Sequence, residues 1–227
     1  MILLETAFFP PVSYFAAIAE EFTLSSGRVN SSAIAAHLVL DAAENYQKQS
    51  YRNRCRIYAA GGVENLSVPI IHEGGTYALP ITKIRIDWST PWLQRLKRAI
   101  ISAYEGSPWF EYYKDELFAI LDKRHERLFD LNTEILRFFL SKIKIEAEIS
   151  LANEFYKPGS GLFPGKDLRG TIHPKRHDDT LSRLQLEKPY WQVFATKHGF
   201  ISNLSIMDLL FNEGPDSILY LKPESKG

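Results

Sequence analysis

Arg52, Arg54 and Arg56 stand two residues apart in the stretch Asn-Tyr-Gln-Lys-Gln-Ser-Tyr-Arg-Asn-Arg-Cys-Arg-Ile (Asn45–Ile57), with Lys48 just upstream. Side chains alternate across a β-strand, so this spacing predicts three guanidinium groups on one face and Tyr51, Asn53, Cys55 and Ile57 on the other. Like charges aligned in this way repel, and an anionic partner relieves the repulsion. Guanidinium forks match phosphate and carboxylate oxygens in pairs. The pattern points to a small anion held by Lys48, Arg52 and Arg54. Asn45, Gln47, Gln49 and Asn53 would read its hydroxyls, with Tyr46 and Tyr51 in the same set. A charged edge strand that resists aggregation is the structural alternative.

A basic strand supplies no group that titrates near neutral pH; His198 does. It lies in Lys-His-Gly-Phe-Ile-Ser-Asn (Lys197–Asn203), just before a helix that Asn203 is expected to cap. Free amides at such an N-terminus favour an anion, so His198 is the candidate general base and Asn203 a candidate ligand contact. A turn histidine that fixes Phe200 packing is the alternative. The remaining histidines offer no metal site: His173 and His177 are four apart, but Pro174 interrupts them. A zinc site would need further Cys or acidic ligands at a suitable spacing. Cys55 alternates with the arginines and reads as structural. Neither a P-loop nor a dinucleotide fingerprint is present, and no motif specifies a cofactor or an oligomeric state.

Three blocks, Phe8-Phe9-Pro10-Pro11, Asn45–Ile57 and Lys197–Leu204, carry a resemblance to the WbqC-like family that spans nearly the whole chain. The resemblance implies a surface-polysaccharide (O-antigen) setting and a glycyl-transfer activity, and it brings no catalytic residues with it. Combined with the basic strand, the expectation is a transferase for a nucleotide-linked or phosphorylated sugar. The alternative is a non-catalytic sugar-phosphate-binding or scaffold protein of the same pathway. The strand–turn–helix opening is similar to that of nucleotidylyltransferases, whose first loop carries paired histidines. Here Phe9, Pro10, Pro11 and Ser13 occupy that place, which argues against nucleotidyl transfer.

The elements that must position these residues follow from periodicity. Ile2–Ala7 reads as a buried strand, Phe8–Pro11 as a turn, and Val12–Phe22 has helical apolar spacing. A loop leaving a parallel strand at its C-terminal end is where such sheets bind ligands, which adds Phe9 and Pro10 to the candidates. Leu24–Ser32 reads as a loop and Ala35–Ala43 as a second buried strand. Arg52–Tyr58 and Leu66–Ile71 suggest an antiparallel pair joined across Gly61-Gly62, and Ile81–Ile86 and Trp191–Ala195 further short strands. Helices are expected across about residues 90–144, then a strand over Ile145–Leu151 and a final helix over Leu204–Phe211. The long loop at about 156–179 is rich in Gly and Pro and basic through Lys166, Arg169, His173, Lys175, Arg176 and His177. It reads either as a flap over an anion, with Lys175 a contact, or as a flexible insertion.

The predicted fold is α/β: one WbqC-like domain over residues 1–227, with a mixed β-sheet, a helical annex and the basic loop. At 227 residues it can bury a sizeable core. With 27 basic and 27 acidic residues it has no net field to attract nucleic acid, so any anion site must be local. The first residues lack the basic and apolar regions of a signal peptide, no apolar run reaches the ~20 residues of a membrane helix, and the single cysteine fits a reducing compartment. The cytoplasm is the expected location.

Overall fold

The computed structural model describes residues 1–26, 35–72, 75, 78–152, 154–157 and 160–222. Its first strand, β1 (Ile2–Leu4), is wholly buried, as an apolar run between two covered faces requires. β1 lies between β2 (Ala36–Asp41) and β6 (Lys166–Asp167), and β5 (Ala147–Ala152) pairs with β2 at the sheet's end. Every pairing in this four-stranded sheet is parallel. The helix α1 (Val12–Ser26) packs on one face and buries Phe15, Ala16, Ile18 and Ala19. Leu3, Val39, Ala152 and Phe163 form a small apolar cluster of their own, flanked by Met1 and Tyr156.

A separate antiparallel hairpin joins β3 (Arg54–Ala59) to β4 (Gly62–Ser67). It packs against the helix α2 (Trp92–Tyr104), and α2, α3 (Phe110–Asp122) and α4 (Leu128–Ile143) match the helical stretch expected from spacing. Phe139 of α4 meets the edges of Phe9 and Phe15 at 6.1 Å each, tying this helical layer to the opening of the chain. The short helices α5 (Thr180–Arg183) and α6 (Ala195–His198) precede α7 (Ile206–Glu213), which is buried along nearly its whole length. Among the described residues no helix is long and apolar enough to cross a membrane.

Several local expectations change. Arg52 precedes β3 instead of opening it, so it does not share a strand face with Arg54 and Arg56. β4 begins at Gly62, because the hairpin turns on Ala60-Gly61, and Pro69 falls beyond it. Residues 81–83 form a 3-10 turn, and Arg85 and Ile86 make isolated bridges, to Arg127 and Ile70. Trp191–Ala195 is not a strand; the chain there leads into α6. Residues 27–32 of the expected Leu24–Ser32 loop, and Pro158 and Gly159 of the basic loop, lie outside the described residues. The rest of the basic loop is not a free flap, since Lys166–Asp167 joins the sheet and Leu168, Ile172 and His173 are buried.

Ser205 caps α7 in place of Asn203, its hydroxyl accepting from the Met207 amide. Asn203 instead takes a positive φ of 53° two residues earlier. Ser205→Ala should therefore lower the unfolding free energy by about 1 kcal/mol, the usual cost of a lost cap. Urea denaturation would show it as a lower midpoint with an unchanged slope.

A candidate ligand site at the C-terminal edge of the sheet

Three parallel strands deliver carboxylates to one edge. Glu5 follows β1 directly, Asp41 ends β2 and Asp167 ends β6. Glu44 joins them from the loop after β2 and accepts from the Thr6 amide at 3.1 Å. Buried carboxylates need partners, and two arginines provide them. Arg52 donates from Nε to Glu44 at 2.9 Å and from Nη2 to both Glu44 and Glu5, the latter at 2.8 Å. Its Nη1 reaches Gln47 at 3.3 Å. Arg169 forks onto Asp167 at 2.9 and 2.7 Å and reaches Asp41 at 2.7 Å. The Gly170 amide donates to the second oxygen of Glu5 at 3.1 Å, which links the two networks.

Carboxylates outnumber guanidiniums here, and the excess has an electrostatic consequence. Burial pushes Glu44 up to about 8; Arg52 pulls against this and the neighbouring Glu5 adds to it. A buried carboxyl group that titrates near neutrality has the property of a general acid or base. Asp167 goes the other way, held low by hydrogen bonds from Arg169. Beside Glu5 and Arg52 lies a cavity of about 10 Å³, the room one water needs. Glu5, Thr6, Tyr14, Ser50, Arg52 and Ile172 line it.

His173 comes to the same edge on the strap that follows β6. It is 7% exposed, and its Nδ1 accepts from the Lys175 amide at 3.1 Å. That bond leaves the proton of the neutral ring on Nε2, an atom that is buried and meets no acceptor in the protein. Burial, then Arg176, lowers its pKa. Lys175 donates from Nζ to Gln49, pinning the strap to the 45–52 loop.

The first turn of α1, where many α/β folds hold phosphate, is occupied by the chain itself. Val12 and Ser13 donate their amides to Leu204 O at 2.9 Å and Asn203 Oδ1 at 3.0 Å. The Ser13 hydroxyl and the Asn203 amide both donate to Asp178, at 2.6 and 3.0 Å. Phe9, just before this turn, holds a φ of 44°, unusual for a bulky residue and kept by a buried setting.

The structure keeps Gln47, Lys48, Gln49, Tyr51 and Arg52 on one loop at this edge, bonds Lys175 to Gln49, and lines the cavity with Tyr51 and Arg52. Asn53, Arg54, Phe9, Pro10, Asn203 and His198 lie elsewhere. Arg52, expected to grip an anion, is already engaged by Glu5, Glu44 and Gln47. Tyr51 is buried and accepts the Phe8 amide through its carbonyl. Asn53 donates to the Val68 carbonyl at 2.8 Å, and Arg54 is half-buried on the hairpin. Asn45 bridges Pro80, Tyr46 is buried and Lys48 lies exposed on the same loop. Phe9 packs in the core, while the Pro10 carbonyl accepts from Ile206 and Asn203 seals α1.

His198 is exposed, and its Nε2 pairs with the Ala60 carbonyl at 3.0 Å, at the hairpin tip. Arg52 lies before the opposite end of β3, so six strand residues separate the two by roughly 20 Å. Ser205 of the following segment does reach β3, donating to Arg56 O at 2.8 Å. Cys55 is fully buried and its thiol is pushed up by that burial, which leaves it unreactive. Sequence reasoning missed Glu5, Asp41, Glu44 and Asp167. A signal was available: Leu-Leu-Glu and Leu-Val-Leu-Asp each set an acid at the end of a buried strand.

A family model described as the WbqC-like protein family matches residues 6–168, well over half of the chain. The chain belongs to the WbqC-like family. The match takes in Asp41, Glu44, Arg52 and Asp167, and stops short of Glu5 at one end and Arg169 and His173 at the other. An uncharacterized protein of Mycobacterium tuberculosis, Rv1507c, is 26% identical over 198 residues, covering 78% of this chain and 84% of that one. No solved structure matches the chain.

Two outcomes follow from the buried charges. Removing Arg52 leaves Glu5 and Glu44 without their shared cation, so Arg52→Ala should cost about 3–5 kcal/mol in denaturant unfolding. Glu44 binds its proton more tightly folded than unfolded, so its contribution is complete below pH ~4.5 and is lost as pH rises through about 8. Melting temperature should fall between pH 6 and pH 8 in the parent and change less in Glu44→Gln, whose amide does not titrate.

Proposed function

We propose that this protein is a cytoplasmic transferase that moves a glycyl or similar acyl group onto a nucleotide-linked or phosphorylated sugar in surface-polysaccharide (O-antigen) biosynthesis. The observation that carries the reading is the Glu5–Arg52–Glu44 group at the C-terminal edge of the parallel sheet, with a carboxyl group that titrates near neutral pH. Acyl transfer needs a base for the attacking amine or hydroxyl. In its ionised form Glu44 takes that proton as the nucleophile bonds to the acyl carbon, and the leaving group departs with the electrons of the broken bond. Arg52 holds the two carboxylates in place. Lys175 and Arg176, exposed on the strap above, favour a phosphate at the rim.

A second reading, a non-catalytic sugar-phosphate-binding or scaffold protein, draws on a different observation. Both guanidiniums at this edge are already bonded to the protein's own carboxylates, and the cavity holds about one water. Mass spectrometry on purified protein given a glycyl thioester and a UDP-linked amino sugar distinguishes the two. Transfer should add a glycyl residue to the sugar. Glu44→Gln should slow it about 10²–10⁴-fold with sugar-nucleotide affinity retained. Binding of the sugar nucleotide by the parent with no acylated product supports the binding protein and overturns the transferase.

A further inference from the structure

We propose that His173 contacts the ligand of this site directly, giving the hydrogen on Nε2 to a phosphoryl oxygen of the bound molecule. The inference rests on reading the strand-edge cluster as a ligand site, and adds to it a residue and the chemical group that residue receives. A buried N–H donor without an acceptor is destabilising, so one that faces a candidate site calls for a ligand acceptor. His173 is more than nine-tenths buried and its Nε2 is unpartnered. Its ring is not free to switch roles. The Lys175 amide occupies Nδ1, which fixes the neutral tautomer as a donor at Nε2.

The surrounding charges select the acceptor. Arg176, Arg52 and Lys175 all disfavour a second positive charge at the imidazole, and Glu5 alone opposes them. Arg52 is matched by Glu5 and Glu44, which leaves the exposed Arg176 and Lys175 to favour an anionic oxygen over an ammonium group at a neutral donor. The setting fits a ligand that is partly enclosed. Ile172, next in the chain, lines the water-sized cavity with Arg52 and Glu5. The strap itself is tied down on both sides, by the Gly170 amide on Glu5 and by Lys175 on Gln49. Arg176 braces it from within, donating to the Gly170 carbonyl at 3.2 Å. An incoming phosphate takes over the Lys175 contact at the rim and the His173 donor beneath it. A sugar phosphate and a nucleotide diphosphate both carry this group.

The test uses the full chain with histidine labelled by ¹⁵N. Inorganic phosphate, glucose 1-phosphate and UDP-glucose are titrated separately, with affinities from calorimetry. The Nε2 resonance that disappears in His173→Phe should shift on binding, and the ester that binds more tightly identifies the source of the phosphate. Affinity should fall about tenfold or more in His173→Phe, as loss of a hydrogen bond to a charged group implies. It should return to within about threefold of the parent in His173→Gln, which restores an N–H donor. Circular dichroism confirms that both variants fold. A donor satisfied only by a trapped water predicts equal affinities in all three proteins, and that result overturns the assignment. Loss of affinity in Lys175→Ala with none in His173→Phe keeps the site and removes His173 from it. Failure of all three probes to bind the parent overturns both the assignment and the anionic-ligand reading beneath it.

Discussion

Carboxylates at the ends of buried parallel strands cannot stand alone, and much of this molecule is arranged to meet that constraint. Glu5 and Asp41 are carried to one edge by strands that bury apolar side chains, Asp167 by the short β6 beside them, and Glu44 joins from a loop. An ionised carboxylate out of water is costly without a charged, hydrogen-bonding partner. Arg52 and Arg169 are planar, always charged and able to bond two carboxylates at once, a combination a lysine lacks. Each therefore acts as a bridge between separate parts of the chain. Arg52 joins the β1 end to the 44–52 loop, and Arg169 joins the β2 end to the β6 end.

The same constraint explains why a stretch with the composition of a loop is largely ordered. Residues 166–173 add a strand to the sheet, bury Leu168, Ile172 and His173, and present the Gly170 amide to Glu5. Glycine at 170 has a φ of 72°, and a methyl group there would approach Arg176 to 2.9 Å. The C-terminal part of the chain makes a comparable closure at α1. Its Asn203 and Leu204 satisfy amides that would otherwise face solvent or a ligand, so the helix terminus is a structural joint.

A second buried acid shows the difference between a group satisfied by its own fold and one left in excess. Asp208 in α7 accepts from Tyr190 and Gln192 at 2.7 Å each, and burial pushes it up only to about 6. Neutral donors surround it and hold it in the core. Glu44 shares its one cation with another carboxylate and is pushed further, although Arg52 is charged and Tyr190 is not. Burial is the first cause at both acids, and at Glu44 the neighbouring Glu5 carboxylate adds to it.

The sequence by itself determined the α/β class, the helical stretch between residues 92 and 143, and the buried strands at the start of the chain. Those depend on apolar spacing within a dozen residues, which periodicity reads directly. It also suggested the 45–52 loop and the strap together from their density of basic and amide groups, and the bond from Lys175 to Gln49 does join the two. Three decisions were beyond it. Arg52 left the strand register of Arg54 and Arg56 because Glu5 and Glu44, 47 and 8 residues away in the chain, compete for its guanidinium. His198 was separated from Arg52 by the length of a strand whose start no local pattern fixed. His173 passed for a loop residue until the strap closed over it. Which ends of which strands share an edge is settled by sheet order, and order is set by packing between distant segments. Only the tertiary structure holds that information.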